Sequence, residues 1–281
     1  MDLLQRARRL LHLYKILPKE RLGQNFAVDS ALLLRMIFYA SVNKADVVLE
    51  VGAGLGFLTQ LLSQWCKRVV AVEVDPKLIR VLREQLYDLR NVELIEGDVL
   101  KVSVPPFNKV VSTPPYSISS PLLFWLLERG FDCAVLTFQR EFAERLAAPV
   151  GGKDYGRLTV TTSYRAEVEL LDHVPRDTFY PPPDVDSMVV RLKPRKEPPF
   201  SVEDEEAFFE LVQALFTQRN KRVRSAIVPF LRKRGVRREN AIRLADSLFL
   251  HDRRVRELAP EDFGALSNEV TRKICEKALL Q

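Results

Sequence analysis

Between Asp46 and Phe138 short β-branched runs alternate with longer segments of helical periodicity, and this alternation constrains the fold more than any other feature of the chain. It predicts βαβ units, because a parallel strand can be followed by another only through a crossover, usually a helix. The expected class is therefore α/β, a mostly parallel sheet with helices on both faces. Strands are expected at 47–51, 69–74, 92–95, 109–112 and 133–138, Val-rich as suits strands buried on both faces. Helices are expected at 30–40, 57–65, 76–86 and 121–129, the last two opening on a proline at a favoured first-turn position. Segments 158–171 and 187–192 read as a strand pair closing the sheet. The stretch 193–199, rich in proline and charge, reads as a domain boundary. Beyond it 203–216, 222–234, 239–248 and 260–280 have helical spacing. The expected organisation is a large domain over 1–192, with a helical extension at 1–28, and a small all-α domain over 193–281.

Composition narrows the function classes. Hydrophobic residues make up 47% and charged residues 28% of the 281, and no run approaches the ~20 apolar residues of a membrane span, so a soluble protein is expected. Arg6, Arg8 and Arg9 precede Leu10 and Leu11 without a sustained apolar core or a small-residue cleavage site, so the cytoplasm is the expected compartment. Cys66, Cys133 and Cys275 are too few and too scattered for a disulfide framework or zinc site, and read as inert thiols. With His12, His173 and His251 equally dispersed, no metal is expected.

The net charge of +6 is localised. Residues 1–190 hold 23 basic and 23 acidic residues, whereas 191–281 hold 20 basic and 14 acidic. Within 218–238 lie Arg219, Lys221, Arg222, Arg224, Arg232, Lys233, Arg234, Arg237 and Arg238 without one acidic residue. Nine cations with no counter-charge in the run repel one another unless a polyanion is near, which points to a nucleic-acid backbone.

The strand at 47–51 runs into Gly52-Ala53-Gly54-Leu55-Gly56 and then a helix, a turn that lets backbone amides approach a ligand closely. A dinucleotide fingerprint needs glycine where this chain has Phe57, which disfavours a nicotinamide enzyme. Glu73 ends the second strand about twenty residues after Gly52, where a carboxylate in such folds grips ribose hydroxyls. Asp98 follows Gly97 after the third strand, placed to accept from an adenine amine. Three strand ends of this kind fit a nucleoside cofactor without a pyrophosphate cradle, which points to S-adenosylmethionine.

After the fourth strand comes Ser112-Thr113-Pro114-Pro115-Tyr116, which resembles the Asn/Asp/Ser-Pro-Pro-Tyr signature of methyltransferases acting on exocyclic amines of nucleobases. From about Pro18 to Leu192 the chain resembles the KsgA-type ribosomal RNA adenine dimethyltransferases. Gly23-Gln24-Asn25-Phe26, Glu50 to Gly56, Gly97-Asp98, Pro115 to Pro121, Tyr155-Gly156-Arg157-Leu158 and Phe179 to Ser187 carry the likeness. The resemblance implies a Rossmann-like class I methyltransferase sheet and S-adenosylmethionine as cofactor. It implies that Asn25, the Ala27 backbone, Gly52, Gly54, Glu73, Asp98 and Thr113 hold the cofactor. Thr113, the Pro114 carbonyl and Tyr116 would serve catalysis. Tyr116 and Phe179 would surround the target adenine, while Arg219, Lys221, Arg222 and Arg224 hold the RNA. The implied reaction dimethylates two adjacent adenosines near the 3′ end of small-subunit ribosomal RNA without a metal; nothing in the sequence demands a dimer, and a monomer is expected.

The chain departs from the family pattern at Thr113-Pro114, where Asn followed by Leu or Ile is usual, and at Ala27, where leucine is common. A threonine hydroxyl accepts a hydrogen bond as an amide does, but it is shorter and also a donor. Two further readings therefore stand beside the first: a cytosine-N4 methyltransferase, and a ribosome-assembly factor with little turnover. A large-subunit methyltransferase of the antibiotic-resistance type fits the basic carboxyl-terminal third and the 181–187 segment less well.

Overall fold

Val69, Val70, Ala71 and Val72 are all fully or almost fully buried, although successive strand residues point to opposite faces, so this strand is covered on both sides. The computed structural model describes the backbone of residues 2–19 and 22–278 and the side chains as far as Ile274. Two compact units divide the chain: Met1–Ala143 with Val168–Pro194, and Glu144–Glu167 with Arg195–Gln281.

The first unit runs α1 (Leu3–Leu13), β1 (Phe26–Ala27), α2 (Ser30–Tyr39), β2 (Val47–Val51), α3 (Phe57–Trp65), β3 (Arg68–Glu73), α4 (Pro76–Gln85), β4 (Val92–Glu96), β5 (Lys109–Ser112), α5 (Ser119–Leu127) and β6 (Cys133–Gln139). The chain continues through α6 (Arg140–Leu146), α7 (Arg157–Arg165), β7 (Ala166–Val174), β8 (Phe179–Tyr180) and β9 (Ser187–Pro194). The seven-stranded sheet has the order β4-β3-β2-β5-β6-β9-β7. Neighbours from β4 to β6 are parallel, whereas β9 runs antiparallel to β6 with Thr137 opposite Val189. After β2 the chain adds β3 and β4 on one side, then returns to place β5 on the other. The carboxyl ends of β2 and β5 thus flank the point where strand order reverses, which is where open α/β sheets bind ligands.

The second unit is helical: α7, then α8 (Glu205–Phe216), α9 (Val223–Ala226), α10 (Val228–Lys233), α11 (Arg238–Asp246) and α12 (Pro260–Ala278). Phe208, Leu215, Leu231, Leu244, Phe263 and Leu266 form its core. Among the described residues no helix is long and apolar enough to cross a membrane.

Three expectations are corrected. Segment 158–171 is not one strand: α7 occupies Arg157–Arg165 and β7 begins only at Ala166. The β-branched residues of 158–162 favour a strand, but Val160 and Tyr164, four apart, bury their side chains in the helical core, and packing overrides propensity. The same contacts, with Ala148 and Tyr155, draw 144–167 into the second unit, so the large domain does not run unbroken to residue 192. Finally, 222–234 is two short helices, α9 and α10, with Pro229 in the first turn of the second. Proline lacks the N–H that a continuous helix would need there. Residues 279 and 280, the end of the last expected helix, lie outside the described residues, as does the Cys275 side chain.

Candidate active site

The turn after β2 is shaped by backbone that only glycine adopts readily. Gly52 has φ of 77°, and a Cβ built on it would lie 3.0 Å from Cδ of Pro115 in the segment after β5. That close approach brings the two strand-end motifs together. Ser112 fastens them: its hydroxyl donates to the Val51 carbonyl at 2.6 Å and accepts from the Val51 N–H at 3.2 Å. With Ser112 consumed in this way and fully buried, the hydroxyl next in line is that of Thr113, which lines the adjoining cavity.

The cavity encloses about 590 Å³ of space, part of it open to solvent. Of the seven residues assigned to the cofactor, Asn25, Ala27, Gly52, Gly54, Glu73 and Thr113 line it, together with Glu50, Gln24 and Leu78. Asn25 is held by its side-chain amide, which donates to the Pro181 carbonyl at 2.8 Å. Ala27 is fixed by the short β1–β8 pairing, opposite Phe179. Gln24 donates to Asp75 at 2.8 Å, and Lys19 pairs with the same carboxylate at 2.8 Å. This tie between the loop before β1 and the N-cap of α4 carries no local sequence signal beyond Asp75 before Pro76.

Glu73 is buried, and its carboxylate accepts three backbone N–H bonds of 2.9 Å, from Val74 and Asp75 on Oε1 and from Gly54 on Oε2. Burial raises its pKa and these N–H groups oppose the rise. Two bonds fill Oε1, whereas Oε2 keeps an acceptor site for a ribose hydroxyl. Glu50 is the residue that sequence reasoning named only within a motif. It lines the cavity, is 2% exposed, and its Oε2 has no hydrogen-bond partner. Burial pushes its carboxyl up to about 8, with a Thr59 contact opposing the rise and Glu73 adding to it. An unsatisfied buried acid in a cavity is matched by a ligand carrying positive charge. S-adenosylmethionine has both a cationic amino-acid end and ribose hydroxyls, so these residues fit it.

Pro114 is buried. Tyr116 is half-buried in a short 3-10 turn and shares a hydrogen bond with the Ser187 hydroxyl; burial raises its pKa. Its ring meets Phe179 edge-on, with centroids 6.5 Å apart and planes at 75°. Thr113, Tyr116 and Phe179 therefore belong to one neighbourhood of the first unit. Asp98 does not line the cavity: its carboxylate accepts from the Leu100 N–H at 3.1 Å and pairs with Lys101 at 3.3 Å. It stays close to the site through Gly97, whose N–H donates to the Glu73 carbonyl at 2.8 Å.

In the second unit the run 218–238 is less bare of counter-charge than its sequence implies. Arg222 and Arg224 both reach Asp252, at 2.8 and 3.4 Å, and Arg234 reaches Glu210 at 2.6 Å. Arg219 donates to the carbonyls of Lys153 and Gly152 at 2.7 and 2.9 Å. Lys221, Arg232, Lys233, Arg237 and Arg238 are exposed without an ion pair among the described residues. Folding brings acids from distant segments to part of the run and leaves the rest to solvent.

Comparison with known proteins agrees with this geometry. The family model described as ribosomal RNA adenine dimethylase matches residues 17–270. A protein of Methanosarcina acetivorans named "Probable ribosomal RNA small subunit methyltransferase A" is 43% identical over 248 residues, 87% of this chain and 91% of its own length. Among solved structures, a dimethyladenosine transferase from Plasmodium falciparum is 30% identical with a TM-score of 0.76, covering 88% of this chain and 98% of its own. The 23S rRNA methyltransferase ErmE is 31% identical with a TM-score of 0.65, covering 88% of this chain and all of its own, 100%. The parallel sheet, the cavity at its switch point and these matches together place the chain in the ribosomal RNA adenine dimethylase family of S-adenosylmethionine-dependent class I methyltransferases.

Proposed function

We propose that the chain transfers methyl groups to the N6 amines of two adjacent adenosines near the 3′ end of small-subunit ribosomal RNA. The observation that carries this reading is the packing of Pro114 and Pro115 against Gly52 at the sheet's switch point, with Thr113 lining the same cavity. The relatives' small-subunit name supports the choice of RNA.

An exocyclic amine is a poor nucleophile because its lone pair is delocalised into the ring. Accepting its N–H hydrogens favours a tetrahedral nitrogen whose lone pair is aimed at an electrophile. Thr113 Oγ and the Pro114 carbonyl take those two hydrogens, the proline ring limiting the mobility of its own segment. Tyr116 provides a stacking face for the extruded base, an interaction worth about 1–3 kcal/mol, and Phe179 the second wall. Asn25, the Ala27 backbone, Gly52, Gly54, Glu50 and Glu73 hold S-adenosylmethionine, which supplies the activated methyl when bound. Arg219, Lys221, Arg222 and Arg224, with the exposed cations near them, hold the RNA backbone.

The test is to incubate the purified chain with labelled S-adenosylmethionine and unmodified small ribosomal subunits, then identify modified nucleosides by mass spectrometry. Dimethyladenosine at adjacent positions is the expected product. Methylcytidine would move the assignment to the other base, and cofactor binding with no product would replace it with an assembly role.

A further inference from the structure

The segment ending in Asp186-Ser187 is distinctive in sequence, yet the chemistry above gives its last two residues no task. Ser187 opens β9, is fully buried, and shares a hydrogen bond with the Tyr116 hydroxyl, at the far end of the ring from its backbone. Tyr116 itself sits in a three-residue 3-10 turn, a short element that by itself fixes little of the ring's direction. A bond at the hydroxyl ties the ring to the sheet, since β9 pairs with β6 along its length, Ser187 opposite Gln139.

Asp186 acts on the other wall. Its Oδ1 accepts the Arg176 N–H at 3.0 Å, its Oδ2 lies 3.0 Å from His173 Nε2, and its carbonyl accepts the Arg140 N–H at 3.0 Å. Arg176 begins the 3-10 turn Arg176–Thr178, which leads directly into Phe179. The Thr178 carbonyl in turn accepts the Val28 N–H at 2.9 Å, at the end of the β1–β8 pairing. One dipeptide thus holds the free end of Tyr116 and the start of the turn that delivers Phe179.

We propose that Asp186 and Ser187 are positioning residues for base capture: they set the 75° angle between the Tyr116 and Phe179 rings without touching cofactor or reacting atoms. This inference rests on the adenine reading above, in which those rings receive the base. A neutral hydrogen bond of this kind corresponds to about a three- to tenfold effect on kcat/KM if its loss lets the ring stray.

The experiment measures steady-state methyl transfer to unmodified small ribosomal subunits at saturating S-adenosylmethionine for Ser187→Ala, Tyr116→Phe and the double variant, and for Asp186→Ala and Asp186→Asn. Ser187→Ala and Tyr116→Phe should each lower kcat/KM about three- to tenfold, and the double variant should be no worse than either single one. Asp186→Ala should lose a similar factor, and Asp186→Asn should recover most of it because an amide oxygen still accepts the Arg176 N–H. Cofactor affinity by calorimetry should stay at the wild-type value, and any fall in thermal midpoint should not track the loss in kcat/KM across the variants. Multiplying losses in the double variant, or losses that follow cofactor affinity or the midpoint, would overturn the inference while wild-type turnover leaves the proposed function standing. No methylated adenine from the wild-type chain would overturn that function and this inference with it.

Discussion

A side chain on Gly52 would strike Pro115: the Cβ position lies 3.0 Å from the proline Cδ, at a φ of 77° that L residues rarely adopt. Gly52→Ala therefore meets two penalties, a backbone cost of about 1–2 kcal/mol for the left-handed conformation and displacement of the Pro115 segment. The variant should lose at least tenfold in S-adenosylmethionine affinity by calorimetry, an expectation based on a cofactor site shared by the two loops. Wild-type affinity in a folded Gly52→Ala variant would show that the cofactor binds elsewhere.

Thr113 stands where an amide is usual in the family and lines the cavity, while the hydroxyl of its neighbour Ser112 is bonded to Val51. Replacing Thr113 with valine keeps the shape and removes the acceptor. Turnover should fall by about tenfold or more, as for loss of one charge-stabilising contact in a transition state, with cofactor affinity changed far less. Rapid-quench single-turnover rates separate the two effects, and an unchanged rate would remove Thr113 from the chemistry.

Glu50 gives the ligand-free chain a pH dependence whose sign follows from burial. Its carboxyl is raised from 4.5 to about 8 in the folded state, so the unfolded chain releases that proton first. The stability from this group is complete below about pH 4.5 and is lost as pH rises to about 8. Glu50→Gln is neutral throughout and should unfold about 3 °C or more above wild type at pH 8, at about 2–4 °C per kcal/mol for a chain of this size. The difference should shrink towards pH 5, and scanning calorimetry at the two pH values decides it.

The exposed cations should differ in their weight on RNA binding. Arg237 and Arg238 have no ion pair among the described residues, whereas Arg224 shares Asp252 with Arg222. Changing Arg237 and Arg238 together to glutamine should lower the slope of log affinity against log salt by about 1.5 to 2, whereas Arg224→Gln should lower it by less than one. Filter binding of an RNA fragment between 50 and 200 mM salt, about the range over which such slopes are read, checks this. Equal slopes for all variants would place the RNA on another surface.

The strands β2, β3, β5 and β6 were legible because the sheet there is covered on both faces, and burial of nearly every residue leaves an apolar run that no surface helix would show, whereas β4 at the sheet edge is only partly buried. Strand-end chemistry was legible for the same reason: once Gly52, Glu73 and Thr113 follow buried parallel strands, their position at one edge of the sheet follows from topology. Asn25 and Ala27 were placed only by likeness to known motifs, since a two-residue strand has no period to detect.

Tertiary structure decided what depends on partners far apart in sequence. The helix at Arg157–Arg165 exists because Val160 and Tyr164 find the helical core, and the basic run is partly neutralised because Asp252 and Glu210 come to it. Asp98 pairs with Lys101 outside the cavity, and Glu50 becomes a buried acid with one unpaired oxygen within it. Tyr116 meets Ser187 across 71 residues because β9 lies beside β6. Local pattern in the sequence determined which residues must be buried and where the backbone must turn, since those constraints act within a few residues. Which side chains then face one another was decided by strand order and packing, because hydrogen bonds and charge pairs are set by distance in space rather than along the chain.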